Sequence, residues 1–215
     1  MGKIRFVYFD LGNVLLKFSL RRLLHQVAEV VETDEERVRT VLFGDKKYFA
    51  LESGEITAQE YFEHICQGFE KKIPSENFLQ ATNNIFWVNE PILPLVRNLS
   101  KSLFPRGVLS NTGPEHWRYT LEAFPCIWDL FPKHRLASFD VKCMKPFERI
   151  YQIALDEARR ELPNLAPEEV LFIDDLEENI AGAKKFGFEG VVYSEIEPLL
   201  EAFRQRNLPV PEEEG

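Results

Sequence analysis

Lys3-Ile4-Arg5-Phe6-Val7-Tyr8-Phe9-Asp10-Leu11-Gly12-Asn13-Val14-Leu15 is the stretch on which the reading of this chain turns. Residues 4–9 form a short apolar and aromatic run, closed by Asp10 and a Leu-Gly-Asn turn. An apolar run without alternation reads as a strand buried on both faces, the habit of parallel sheets. Asp10 then stands at the strand's carboxyl end, where loops and helix N-termini converge and open α/β sheets bind their ligands. Taken singly, an Asp in this place is more often a turn or helix-capping residue than a reactive one.

After this strand the period changes. Residues 20–86 are helical in pattern: Leu23, Leu24, Val27 and Val31 share a stripe, a second helix covers 35–43, and Thr57-Ala58-Gln59-Glu60 fits a capping box ahead of Tyr61, Phe62 and Ile65. A further helix is predicted over 75–85, with Ser75 as its cap and Phe78, Leu79 and Thr82 on one face. No strand signal interrupts the stretch. Helices inserted after the first strand of a sheet hang over that strand's carboxyl end, so the expected domains are a core (1–17 and 89–215) and a helical cap (18–88).

The α/β pattern then returns. A helix over 91–102 precedes Arg106-Gly107-Val108-Leu109-Ser110-Asn111, a short strand ending in small polar residues. A helix from residue 115 leads to Phe124, residues 128–131 form a link and 135–138 a brief strand. Residues 146–160 carry a helical stripe, and Val170-Leu171-Phe172-Ile173 is a strand that again closes on acid, Asp174-Asp175. A helix over 178–186, a strand over 190–194 and a helix over 197–206 follow, with 209–215 as a frayed tail. The predicted fold class is α/β: a Rossmann-like parallel sheet of five strands flanked by helices, with an inserted helical-bundle cap.

Composition narrows the function. The 215 residues, 45 % hydrophobic and including eighteen Phe, suffice to bury a core in one substantial domain with a smaller insert. A formal charge of -9 and the lack of a long run of Lys and Arg argue against nucleic acid as a partner. Cys66, Cys126 and Cys143 are irregularly spaced and fit neither a disulfide framework nor a zinc cluster, so they read as reduced thiols. No segment approaches twenty uninterrupted apolar residues; no membrane span is expected, and the location is read as cytoplasmic, for a monomer or weak homodimer.

Three strand ends therefore carry polar residues, Asp10, Ser110-Asn111 and Asp174-Asp175, and Lys145 opens a helix after a loop. In a parallel sheet these ends point the same way, so carboxylates, a hydroxyl and an ammonium share one cleft. Carboxylates gathered there raise one another's pKa unless a cation neutralises them. Mg2+ suits the set, being a hard ion that takes carboxylate, carbonyl and water oxygens and binds phosphate as well. Lys145 and the Ser110 hydroxyl would then hold phosphoryl oxygens through charge-assisted contacts. The expected partner is a small phosphorylated metabolite.

Phe9-Asp10-Leu11-Gly12-Asn13-Val14-Leu15 resembles the first motif of the haloacid-dehalogenase-like (HAD) hydrolases. Leu109-Ser110-Asn111-Thr112 resembles the second, Met144-Lys145-Pro146 with Ile150-Tyr151 the third, and Phe172-Ile173-Asp174-Asp175 with Asn179, Gly182, Ala183 and Gly187 the fourth. The helical stretch between the first two lies where that family places its most common cap. The resemblance implies a magnesium-dependent phosphatase working through an aspartyl-phosphate. Asp10 would attack phosphorus, Ser110 and Lys145 would hold the phosphoryl group, and Asp10, Asp175 and the backbone carbonyl of Gly12 would ligate the metal. It implies a water-mediated contact to the metal for Asp174, and for Asn111 a bond to phosphate or an orienting bond to Asp10. The Asp10 strand is expected at the centre of the sheet, between those ending at Ser110 and Asp175.

One position departs from the family pattern. Typical phosphatases of the family carry a second Asp where this chain has Gly12; it protonates the leaving oxygen and later activates water. General acid-base help of that kind is worth roughly 10²–10⁴ in rate. The Asp-Leu-Gly-Asn-Val pattern is similar to that of sugar 1-phosphate phosphatases, whose anomeric leaving oxygen has less need of an acid. The alternatives are a catalytically weak phosphate-binding or regulatory protein, or a metal-independent 2-haloacid dehalogenase, which gives Asp174-Asp175 no purpose. In the cap, Glu52, Phe43 and Tyr48 are candidate substrate-facing residues. Phe43, Phe49 and Phe62 suit the bundle core better, and Trp87 and Trp117 read as packing groups.

Overall fold

Phe6, Val7, Tyr8 and Phe9 are fully buried in the computed structural model, which describes residues 3–211. They form β1 (Phe6–Phe9), and the pleat divides them between two apolar clusters. Val7 and Phe9 join Leu171 and Ile173 on one face, while Phe6 and Tyr8 join Val170 and Phe172 on the other. Burial on both faces is why the run lacks alternation. The tail expected over 209–215 lies, from residue 212 onward, outside the described residues, as do residues 1 and 2.

From β1 the chain passes through β2 (Leu16–Phe18), α1 (Leu20–Val31), α2 (Glu35–Phe43), α3 (Lys47–Glu52), α4 (Ala58–Phe69), α5 (Ser75–Asn83) and β3 (Phe86–Val88). It continues through α6 (Leu93–Lys101), β4 (Arg106–Ser110), α7 (Pro114–Ala123), α8 (Pro125–Trp128), β5 (Arg135–Ala137) and α9 (Ser138–Val141). The last elements are α10 (Glu148–Ala158), β6 (Val170–Asp174), α11 (Glu177–Phe186), β7 (Glu189–Val192) and α12 (Ile196–Gln205). Five strands form a parallel sheet in the order β5-β4-β1-β6-β7, with Phe9 paired to Val108 on one side and Ile173 on the other. The expected α/β class and the central place of β1 are both met. From β1 the chain builds one edge through β4 and β5 and then crosses to build the other through β6 and β7, the arrangement that opens a crevice at the strands' carboxyl ends.

The helices α1 to α5 pack around a cluster of their own that includes Leu24, Val27, Val38, Ile65 and Phe78. The predicted capping box is present: the Thr57 Oγ1 accepts from the Glu60 N–H at 3.2 Å, and a Glu60 carboxylate oxygen accepts from the Thr57 N–H at 2.7 Å. Ser75 does not cap α5; it is the first helical residue, after Pro74. The chain enters and leaves the insert through an antiparallel ribbon, Leu16 facing Val88 and Phe18 facing Phe86. Three-residue strands are too short to display a period of two, so the sequence pattern misses them. Trp117 packs against Trp128 at 4.8 Å as expected, but Trp87 and Phe49 are each 46 % exposed and belong to no core. No helix among the described residues is long and apolar enough to cross a membrane.

Close packing at one glycine ties the fold to the sheet's carboxyl end. A Cβ on Gly182 in α11 would stand 2.6 Å from the Pro146 carbonyl oxygen and 2.9 Å from its Cβ, so the segment carrying Lys145 lies directly on that helix. Gly182→Ala must push this segment away. The expected loss is about 1–3 kcal/mol, read as a lowered urea midpoint, with Gly44→Ala avoided as a control because its own added Cβ would strike Thr40.

Candidate active site

Asp10 follows β1 directly, and its N–H still donates to the Ile173 carbonyl at 2.8 Å, so the sheet ladder fixes where its side chain begins. The Lys145 ammonium donates to Asp10 Oδ1 at 2.7 Å and to Asp174 Oδ2 at 2.6 Å. All three residues are buried, Lys145 to 3 % exposure and Asp174 to none. Residues separated by 135 and 29 positions thus meet at one ammonium. Asp174 is gripped further: its Oδ1 accepts from the Leu176 N–H at 2.9 Å and from Asn179 Nδ2 at 3.0 Å. Asn179 is in turn steadied by Tyr151, whose hydroxyl donates to the Asn179 carbonyl at 2.7 Å.

Asp175 points to the other side of the cluster, where its Oδ2 accepts from Asn13 Nδ2 at 2.9 Å. Asn13, not Gly12, is the left-handed residue of the first loop, with φ 55. Gly12 therefore needs no special backbone freedom; a Cβ there would meet the Phe18 ring at 3.3 Å. Asn111 sits at the end of β4, but its side chain turns from Asp10 to the Lys145 main chain. Its Nδ2 donates to the Lys145 carbonyl and its Oδ1 accepts from the Lys145 N–H, each at 2.9 Å. The Ser110 hydroxyl has only a marginal contact, 3.4 Å to the Asn111 carbonyl, and so is available to a ligand.

The electrostatics follow from burial. Desolvation pushes the Asp10 carboxyl up to about 7, with Lys145 pulling it down and Asp174 pushing it up. Burial alone would lower the Lys145 ammonium, but Asp10 and Asp174 outweigh it and hold it above the ordinary lysine value. Asp10, Asp174 and Asp175 each present one carboxylate oxygen, all within 4.8 Å of one another. Oxygens on opposite sides of one magnesium ion stand roughly 4.2 Å apart, so a small contraction fits them to an ion. Both oxygens of Asp174 already take protein donors, which leaves Asp10 and Asp175 as the better ligands and Asp174 as the anchor of Lys145.

Next to the cluster, reaching Leu11 and Gly12 rather than the carboxylates themselves, lies a cavity of about 450 Å³. Gly12, Ser110 and Asn111 line it from the sheet, and the three expected insert residues, Phe43, Tyr48 and Glu52, line it from above. A second cavity of about 410 Å³, between the insert and the start of α7, shares Phe43, Tyr48 and His116 with the first. Sequence reasoning missed Arg39 and His116, both on the wall. His116 could have been found, since α7 follows β4 and its first turn must lie at the same end of the sheet. Burial pushes its imidazole down to about 4, so it is neutral at ordinary pH and brings no charge to an anion.

A family model of the haloacid dehalogenase-like hydrolases matches residues 4–187. The chain belongs to that family. Among solved structures, it is similar to the HAD family enzyme bt-2542 from Bacteroides thetaiotaomicron, with 25 % identity and a TM-score of 0.79 over 94 % of this chain and 100 % of that one. The same enzyme in complex with magnesium and inorganic phosphate matches at 25 % identity and a TM-score of 0.74, over 89 % and 95 %. The L-2-haloacid dehalogenase from Xanthobacter autotrophicus, at 18 % identity and a TM-score of 0.62 over 94 % and 83 %, shares the fold. Within this HAD-like hydrolase, the fourth motif now has a physical account: Asn179 grips Asp174, Gly182 admits Pro146, and Gly187, with φ 116, ends α11 in the left-handed region.

A carboxyl whose folded pKa is raised stabilises the fold below its unfolded value, and that contribution is lost as pH rises through about 7. A bound divalent cation favours the ionised form and reverses the loss. Calorimetry should show the metal raising Tm by about 2–4 °C more near pH 8 than near pH 6. Asp10→Asn should remove most of that increment.

Proposed function

We propose that this hydrolase is a magnesium-dependent phosphomonoesterase that acts on a small phosphorylated metabolite through an aspartyl-phosphate on Asp10. The observation that carries the reading is the Lys145 ammonium set between Asp10 and Asp174 with a third carboxylate, Asp175, beside them. Three carboxylates face one ammonium, so an anion is drawn there only together with a cation. The magnesium and phosphate complex of the Bacteroides neighbour supports this. Asp10, Asp175 and the Gly12 carbonyl would hold the ion, which supplies Lewis-acid stabilisation and relieves the repulsion between phosphate and the attacking carboxylate.

The chain's own residues divide the remaining work. The ionised Asp10 attacks phosphorus in line with the leaving oxygen, and hydrolysis of the aspartyl-phosphate by water completes turnover. Lys145 orients Asp10 and donates a hydrogen bond to a phosphoryl oxygen, held at its post by Asp174. Ser110 turns its hydroxyl to a second phosphoryl oxygen. Asn111 serves by fixing the Lys145 main chain. In this reading residues 18–88 are a cap and 1–17 with 89–215 the core, supported by the insert's separate hydrophobic cluster and the ribbon that joins it to the sheet. The cavity has the size of a small-molecule site, and Glu52, Tyr48 and Arg39 offer polar groups for the hydroxyls of a sugar phosphate. Gly12 supports a second reading, a phosphate-binding protein with little turnover.

Phosphate release from sugar phosphates, nucleotides and small alcohol phosphates, with and without magnesium, tests the assignment. Magnesium should be required, chelation should abolish release, and Asp10→Asn should reduce it to background while inorganic phosphate still binds. Turnover of a 2-haloacid that is indifferent to chelator would replace this reading with the dehalogenase one. Phosphate binding with no ester hydrolysed would replace it with the regulatory one.

A further inference from the structure

Resting on the phosphomonoesterase reading, a question follows from Gly12: which group gives a proton to the leaving oxygen? The Phe18 ring from the ribbon occupies the space beside Gly12, and the first loop brings only Leu11 and Gly12 to the cavity wall, so it offers no ionisable side chain there. A carboxyl comes instead from the opposite wall. Glu52, the last residue of α3, lines the same cavity as Gly12, Ser110 and Asn111.

Contacts with α9 and the loop after β4 fix its backbone, while its carboxylate accepts a hydrogen bond from Tyr48 of the same helix. The Ser138 hydroxyl donates to the Glu52 carbonyl at 2.6 Å and accepts from the Thr112 N–H at 3.0 Å. Thr112 is two residues beyond Ser110, so one hydroxyl pins the Glu52 backbone to the end of β4. Two residues on, Gly54 has φ 71, and a Cβ there would fall 2.1 Å from the Phe139 carbonyl oxygen. The loop therefore lies flush on α9 through a residue that only glycine fits. These two contacts hold the Glu52 backbone beside the strand end from which Ser110 would grip phosphate, and its side chain lines the cavity there.

We propose that Glu52 is the catalytic acid and base of this site, doing from the insert what a second aspartate in the first loop would do, so that esters of unactivated alcohols are substrates. As Asp10 forms its bond to phosphorus, the bond from phosphorus to the leaving oxygen breaks and the Glu52 carboxyl gives that oxygen its proton, releasing an alcohol. The Glu52 carboxylate then takes a proton from water as the water oxygen attacks phosphorus. This frees inorganic phosphate, returns Asp10 as a carboxylate and leaves Glu52 protonated as at the start. Burial supports the role by pushing the Glu52 carboxyl up to about 7, against the pull of Tyr48 and Lys145. Because Glu52 faces the cavity and is only half-buried, a bound ester that displaces water strengthens the effect.

The test is kcat/KM of the magnesium-loaded protein across aryl and alkyl phosphates graded by the pKa of the released alcohol. Glu52→Gln should lower alkyl phosphate turnover about 10²–10⁴-fold, leave 4-nitrophenyl phosphate within a few-fold, and leave inhibition by inorganic phosphate unchanged. The slope against leaving-group pKa should steepen. Ser138→Ala, which loosens Glu52 without removing it, should steepen it less; this variant decides the matter if Glu52→Gln does not fold. An equal loss on every ester, or a raised KM with the slope unchanged, would make Glu52 a binding group and overturn the inference alone. A wild type inert toward every ester, the aryl ones included, would overturn the hydrolase reading and this inference with it.

Discussion

The ammonium of Lys145, buried between Asp10 and Asp174, is the constraint around which the rest of the molecule is arranged. An ion pair taken out of water stands only if nearly every remaining donor and acceptor finds a partner, and removal of one member of such a pair typically costs about 3–5 kcal/mol. The surroundings meet that condition. Asn111 clasps the Lys145 main chain from β4, and Asn179 and the Leu176 N–H hold Asp174 from the start of α11. Tyr151 steadies Asn179 from α10. Three elements, besides the two strands that carry the aspartates, are thereby committed to one ion-pair cluster.

That commitment also sets the chemistry. Asp10 and Asp174 share the positive charge of one lysine, and Asp175 stands beside them with a neutral amide, that of Asn13, as its partner. The surplus of negative charge is tolerable to the fold because Asp175, unlike the buried pair, is partly exposed. It makes the cluster a poor anion site by itself and a good one with a divalent cation in place. The rise of Asp10 toward neutrality without metal expresses the same imbalance.

The insert meets the sheet through few polar contacts, but they fall at the site. Ser138 joins the Glu52 carbonyl to the Thr112 N–H, and Gly54 lets the following loop rest on Phe139. The ribbon of β2 and β3 joins the two parts at the opposite side of the cavity and brings Phe18 over Gly12. Phe18 fills the space at Gly12, and Glu52 brings a carboxyl to the same cavity from the other wall.

Local pattern was enough to reveal the parallel strands, most helices and the acid at two strand ends, because burial on both faces and a period of 3.6 are written into short stretches. That Asp10, Ser110 and Asp174-Asp175 would gather at one end of the sheet was legible because strands that run parallel must end together, whereas Lys145 joins them from a loop. The ribbon strands were not legible, since three residues carry no period, and the exposure of Trp87 and Phe49 contradicts what their apolar rings suggest. Nor could sequence say that Asn111 holds Lys145 rather than Asp10, or that His116 and Arg39 share a wall with Glu52. Those are relations between side chains on different elements, separated by tens of residues. Composition and spacing set which groups reach the carboxyl end of the sheet; only packing of the insert against it decides which of them face one another.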